Sequence, residues 1–363
     1  DFNGLYGQDA HEYLRQSRDF FGRLRGLAPA PAGPGNAEFA GGYPLAGALL
    51  QLLGFDAGLA LQMVSALAAA AAFWLFELNL RLLSPGARWQ SRWVFGGLGL
   101  ALAPCFFRAG LVVMSDALGL ALLLAALYFA LQVLERERYR YALGFAVIAT
   151  LAVSVRYALA VVLVLPGLAV LLELWRGRRY SWLATVALAG GMALLPLWWM
   201  KTGVSRSPLE HSLLQDWSLL HLFQRTFTQA SGTVTYHLPN AAYLLYPLVH
   251  PAFCLSLPAL FLLAKRTDAV LYAKRVLVLS AGVYLLFLGG LSHQNIRYLL
   301  PAYTLLLLLF FPAWDRFFAY GLYFFPRLAH ALMSLTLVCQ LGFTVWIVAP
   351  VVQRQRRERD MAA

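Results

Sequence analysis

Ten apolar stretches, each near the length a bilayer demands, run through this sequence at 57–80, 93–110, 114–134, 142–155, 157–174, 183–200, 241–263, 276–291, 299–313 and 328–349. A spanning helix needs about 20 mainly apolar residues. In lipid, every backbone N–H and C=O must be satisfied within a helix or a closed barrel. Apolar runs of this length, joined by short polar links, leave one fold class: an all-α, polytopic transmembrane helical bundle of about ten to eleven spans. A soluble globular domain is excluded, because 60% of the 363 residues are hydrophobic. The run 43–55, YPLAGALLQLLGF, is too short for a span and reads as interfacial or re-entrant.

Charge then orients the bundle. The formal net charge is +12. In a soluble protein that would point to nucleic acid; here the positive charge sits in short loops between apolar runs, so no nucleic-acid partner is expected. Arg81, Arg88 and Arg92 share one loop, and Arg136, Arg138 and Arg140 another. Arg176, Arg178 and Arg179 follow, then Lys265, Arg266, Lys274 and Arg275. These loops alternate along the chain and therefore share a side, which the positive-inside rule makes cytoplasmic. The organisation expected is an extracytoplasmic first loop over 1–42, a helical membrane domain over 43–350 with an outer loop at 201–240, and a basic tail over 351–363. That tail, QRQRRERD, would also lie outside and breaks the rule unless the aromatic stretch 317–327 makes a further crossing. The sequence opens on Asp1, and a preceding span entering from the cytoplasm is expected. Cys105, Cys254 and Cys339 lie in apolar stretches without metal-like spacing and read as inert thiols.

An ionisable residue at membrane depth costs about 2.5–3.5 kcal/mol on insertion scales, so each one asks for a partner or a role. The candidates gather at the outer side. Asp9 and Glu12 lie in the first loop, Asp116 in VVMSDALG, Arg156 in SVRYA, and His293 and Arg297 in SHQNIRY. Each also has a plain reading. Asp9 and Glu12 match a capping box, and Ser115–Asp116 matches a helix start. Arg156 and Arg297 match interfacial anchors beside the aromatic-belt residues Tyr157 and Tyr298. His293 matches a hydrogen-bonded interfacial histidine. The convergence of several distant segments on one face is what favours a site.

Taken in order, four motifs resemble the GT-C superfamily of integral-membrane glycosyltransferases, and most closely its family 39. They are GQDAHEYLRQSR followed by GGYPLAGALLQLLG; the S-D of VVMSDALGLALLLAAL; the R-Y of SVRYALAVVLVLPGLAVLL; and HQNIRYLLPAYTLLLLL. The resemblance covers roughly 1–312. It departs from the family in D-A-H-E, where many members carry an adjacent D-E pair, and in having no large domain after the spans.

The resemblance implies an enzyme that moves a hexose or pentose from a polyprenyl-phosphate donor to a lipid, glycan or protein acceptor. Transfer would occur at the outer face of a bacterial inner membrane and with inversion. It implies Asp9 as catalytic base and Asp116 as a catalytic or orienting carboxylate. Arg297, with His293 and Arg156, would hold the donor phosphate, and Glu12, Tyr13 and Tyr298 would support the acceptor. No cofactor is required; a divalent cation is compatible but unspecified by two acids and one histidine. The competing reading is a transporter or flippase for a lipid-linked or anionic solute, which would use the same arginines. The outer loop 201–240, with its amphipathic LLQDWSLLHLF, reads as a lid or acceptor surface lying on the membrane, and Glu210, His211, Asp216 and His237 are polar groups within it.

Overall fold

The computed structural model describes residues 7–27, 40–201, 216–229, 232–253 and 272–360. It is a helical bundle. Helix α1 (Gly7–Leu24) and the short α2 (Gly42–Gln51) precede α3 (Ala57–Leu83). A broken helix follows, α4 (Trp89–Gly96) continuing as a π-turn over Gly97–Ala101, then α5 (Pro104–Leu111). Next come α6 (Asp116–Arg136), α7 (Tyr141–Val155), α8 (Leu159–Arg176) and α9 (Tyr180–Lys201). A two-stranded antiparallel hairpin, β1 (Thr226–Gln229) and β2 (Gly232–Thr235), interrupts the helices. The chain closes with α10 (Tyr272–Gly289), α11 (Leu300–Phe324) and α12 (Pro326–Asp360).

Among the described residues, six helices are long and apolar enough to cross a membrane, seven if the bent pair α4–α5 counts as one span. The expected runs at 57–80, 114–134, 157–174, 276–291, 299–313 and 328–349 each fall on one of the six. The run at 183–200 lies on α9, and the run at 142–155 on the 15-residue α7. The run at 241–263 begins differently: Asn240–Tyr243 and Tyr246–Val249 are separate helical turns, with Pro247 at the start of the second. Its remainder lies outside the described residues, as do Cys254, Lys265, Arg266, Glu210 and His211. Helix α2 is short, as the 43–55 stretch implies. Stretch 317–327 is the end of α11 and the turn into α12, so it makes no crossing of its own.

Helix α6 forms the centre. Two-thirds of its apolar window, 67%, is buried, against 17% for α12, whose outward face carries the exposed Cys339. Small residues allow the close approach on which membrane helices depend. Ala68 and Ala72 of α3 and Ala117, Ala126 and Ala130 of α6 lie in one buried cluster. Asn79 adds a polar clamp, its amide donating to Leu124 O at 3.0 Å.

The α4–α5 break bends the chain by 73°. Pro104 cannot continue the preceding helix, and Ala103 takes the extended conformation that a following proline favours. The break frees the Leu102 carbonyl at membrane depth. Thr344 Oγ1 of α12 donates to it at 3.0 Å and Gln340 Nε2 at 3.4 Å.

Helix polarity separates two ends. Asp116 starts α6, and Arg136 ends it, about 30 Å away at 1.5 Å per residue. At the Arg136 end, Arg179 lies over the Tyr139 ring at 5.4 Å, and Ala273 N–H donates to Glu135. Loops from α6–α7, α8–α9 and the start of α10 therefore meet at one end, as the alternating basic loops require. Val351 of α12 packs beside Val112 and Met114 at the other end. The backbone leading to the basic tail thus emerges at the Asp116 end, and the departure from the charge rule stands.

Candidate active site at the Asp116 end

Four separate segments deliver four charges to one cluster. Asp9 lies in the first turn of α1, where a carboxylate favours the helix N-terminus. Asp116 opens α6 and is 4% exposed. Arg156 follows the last residue of α7, and Arg297 sits in a 3-10 turn (Ile296–Leu299) whose preceding Asn295 side chain caps the Arg297 N–H at 3.2 Å.

The charges are paired across these segments. Arg156 binds Asp116, and Arg297 binds Asp9. Arg297 also approaches Asp116 Oδ2 at 3.9 Å and contacts Met114 Sδ at 2.9 Å. Two carboxylates thus face two guanidinium groups in a largely buried, charge-balanced set, the condition under which buried ions are tolerated. Burial is the largest influence and opposes the Arg156 charge, but the Asp116 carboxylate together with Tyr284 and Tyr298 outweighs it and holds the guanidinium above its ordinary value. The Tyr298 ring lies between the arginines, with Arg156 4.9 Å and Arg297 5.7 Å from its centroid. Arg297 Nε is buried without a hydrogen-bond partner among the described residues.

A supporting shell fixes these groups. Tyr13 is buried, shares the α1 face of Asp9, and bonds Ser115 Oγ at 3.0 Å. Burial is the main cause that pushes the Tyr13 phenol up to about 12, so it stays neutral. Tyr13 packs edge-on against Tyr43, whose hydroxyl reaches Leu61 O at 2.9 Å and Ser65 Oγ at 2.8 Å. Ser65 in turn donates to Met114 O at 3.3 Å. Helix α1 is also pinned to α2 by Gln51 Nε2 to Ser17 Oγ at 2.8 Å. Gly47 is required there, since a Cβ would fall 2.7 Å from Ser17 Oγ.

On the other side, the loop carrying His293 and Arg297 is held by residues 236–243. Asn240, fully buried, donates to Gly289 O at 2.9 Å and Leu291 O at 2.6 Å, and accepts from Gln294 at 2.9 Å. Tyr243 donates to Asn295 O at 2.6 Å, and Tyr284 to Tyr298 O at 2.9 Å. Tyr236, just past β2, bonds His293 Nδ1 at 3.2 Å. Burial first, then the Arg297 charge, holds the His293 imidazole below its ordinary value and keeps it neutral near pH 7.

The structure therefore brings together Asp9, Asp116, Arg156, Arg297, Tyr13, Tyr298 and His293. Glu12 is not brought in. It engages Arg15 at 2.5 Å and Gln16 at 2.9 Å within α1. Burial alone would raise its carboxyl, but the Arg15 and Gln16 hydrogen bonds outweigh it and hold it below the ordinary value. The capping-box reading also fails, because α1 starts at Gly7 and places Asp9 inside the first turn. Ser115 makes no capping bond either, its hydroxyl serving Tyr13. Met114, Tyr236, Asn240 and Tyr243 escape sequence reasoning. Asn240 carried one signal, a lone amide opening an apolar run, which at membrane depth demands partners.

The described part of the segment 201–240 holds a 3-10 turn, Leu219–Phe223, and the β1–β2 hairpin. Trp217 donates to Phe287 O at 2.9 Å and presses on Gly290, where a Cβ would fall 2.2 Å from Nε1. Leu220 and Phe223 are left exposed, 68% and 78%. Asp216 and His237 are also exposed. Among the described residues, no three His, Cys, Asp or Glu side chains gather as a metal site.

The order of the helices is a fold of the GT-C type. Two solved structures share it: ArnT from Cupriavidus metallidurans in the apo state, at 17% identity and a TM-score of 0.59, and the same protein bound to undecaprenyl phosphate, at 18% and 0.61. Each match covers 87% of this chain, which spans a little over half of the ArnT chain, 56% and 57%. No protein-family model and no curated protein matches the sequence.

Proposed function

We propose that the chain transfers a hexose or pentose from a polyprenyl-phosphate donor to a hydroxyl of a lipid, glycan or protein acceptor. The Asp116 end would face the outside of a bacterial plasma membrane, and the sugar would invert. The observation that carries this reading is the convergence of Asp9, Asp116, Arg156 and Arg297 from four segments. The likeness of fold to a protein that binds undecaprenyl phosphate supports it, and the basic loops at the opposite end support the orientation.

In this reading the donor phosphate meets Arg297, whose Nε has no hydrogen-bond partner among the described residues, through charge-assisted hydrogen bonds. His293, neutral, adds a hydrogen bond, and Arg156 contributes charge from behind Asp116. The acceptor oxygen forms a bond to the anomeric carbon as its proton passes to the Asp9 carboxylate. The bond from that carbon to the phosphate oxygen breaks, and its electron pair leaves with polyprenyl phosphate. A phosphate monoester, with a second pKa near ~6, departs without a general acid. Protonation of Asp9 removes the charge that neutralises Arg297 at the moment negative charge builds on the phosphate. The guanidinium is therefore more strongly engaged in the transition state than before it. Asp116, buried and held by Arg156, positions Arg297 and the α6 terminus. Tyr13 and Tyr298 shape the pocket, and Glu12 stiffens α1. No cofactor is assigned to the step, since both carboxylates are committed to guanidinium groups.

The test is sugar transfer in reconstituted membranes, followed by release of free polyprenyl phosphate. Asp9→Asn should abolish release while donor binding persists. Movement of intact donor across the bilayer with no release would establish the transporter instead.

A further inference from the structure

A second cavity lies at the far end of α6. It holds about 270 Å³ and is lined by Leu78, Arg81 and Leu82 of α3 and by Tyr128, Gln132, Arg136 and Arg138. Gln132 is about 24 Å along α6 from Asp116 at 1.5 Å per residue, so the cavity sits at the opposite headgroup level and outside the proposed site. It is smaller than drug-sized pockets of roughly 300–1,000 Å³.

Its three arginines need no ligand by themselves. Cations near helix C-termini offset the helix dipole, and basic loops set topology. Two observations go further. None of Arg81, Arg136 and Arg138 forms an ion pair with a carboxylate among the described residues. The nearby Glu135 accepts from the Ala273 N–H at 3.1 Å, and Glu137 forms the left-handed cap of α6, φ 53°. Gln132 is the second observation. It is 5% exposed, and its Oε1 has no hydrogen-bond partner among the described residues. A buried acceptor left unpaired is unfavourable, and neither dipole nor topology explains it.

We propose that this cavity binds the headgroup of a membrane phospholipid, its phosphodiester held by the arginines and a headgroup N–H or O–H donated to Gln132 Oε1. Leu78 and Leu82 supply the apolar wall from which the acyl chains enter the bilayer. A lipid rather than a soluble phosphodiester is favoured because the cavity opens at the ends of two lipid-embedded helices, α3 and α6.

Phosphatidylethanolamine and phosphatidylcholine separate the terms. Both are phosphodiesters without net charge, and only the first carries N–H donors. Native mass spectrometry of the full chain in detergent, delipidated and then titrated with each lipid, should show one phosphatidylethanolamine retained about tenfold better than phosphatidylcholine. Gln132→Leu should erase that preference. Arg136→Ala, changed alone so that the basic loops keep their orienting charge, should lower retention of both lipids at least fivefold, with Arg136→Lys in between. Equal retention of the two lipids by the unaltered protein, or no effect of Arg136→Ala, would overturn the proposal. Displacement of the lipid by equimolar glycerophosphoethanolamine would overturn the membrane source.

Discussion

The two ends of α6 carry arginines in opposite conditions. At the Asp116 end, Arg156 and Arg297 are largely buried, and each faces a carboxylate from another segment. At the Arg136 end, Arg81, Arg136 and Arg138 are exposed and unpaired by carboxylates among the described residues. Exposed basic loops act one by one, setting topology and gripping headgroups. Paired buried charges act as a unit, because removing one member leaves another uncompensated in a low dielectric. The proposed transfer chemistry is therefore placed at the paired end.

The largest effects should come from breaking the pairs. Arg297→Ala should lower turnover about 10²–10³-fold, as loss of a transition-state donor does, and should weaken donor binding. Arg81→Ala at the other end should leave turnover within a few-fold; an equal loss at both ends would dissolve the contrast. Asp9→Asn should lower turnover about 10²–10⁴-fold; turnover kept within a few-fold would rule out Asp9 as the base.

Arg156→Leu should destabilise the fold by about 3–5 kcal/mol, since Asp116 would stay buried and unpaired. The double variant Arg156→Leu with Asp116→Leu should recover most of that loss in thermal unfolding. Removing the side-chain cover of the Leu102 carbonyl, with Gln340→Leu and Thr344→Val, should cost about 1–3 kcal/mol while leaving the ion pairs intact. The smallest effect concerns His293. Its folded value lies below the unfolded one, so the unfolded chain binds more protons, and stability falls as pH drops through the range just below the ordinary histidine value. His293→Gln should flatten that fall between about pH 7 and 5.5 in thermal unfolding.

Much of this was legible in the sequence for physical reasons. Apolar length reports a span directly, and loop charge reports its direction, so α3, α6, α8, α10, α11 and α12 were foreseeable. The cost of charge at membrane depth singled out Asp116, Arg156 and Arg297. Pairing was not legible, because it depends on which helix termini meet. Nothing in the sequence says that Arg156 takes Asp116 while Arg297 takes Asp9. The local pairing of Glu12 with Arg15 and Gln16, three and four residues along the same helix, keeps it apart from the cluster, and its sequence context near Asp9 does not show this. The amphipathic pattern of LLHLF also does not reveal that it forms a 3-10 turn, beside Trp217 wedged against Gly290.

Undecaprenyl phosphate binding to the purified chain tests the central claim most directly, because it reads the Asp9–Arg297 exchange without knowledge of sugar or acceptor. Arg297→Ala should weaken binding at least tenfold, and Asp9→Asn, which frees the guanidinium, should tighten it. Affinity unchanged by both substitutions would show that the paired charges hold the helices together and do nothing more.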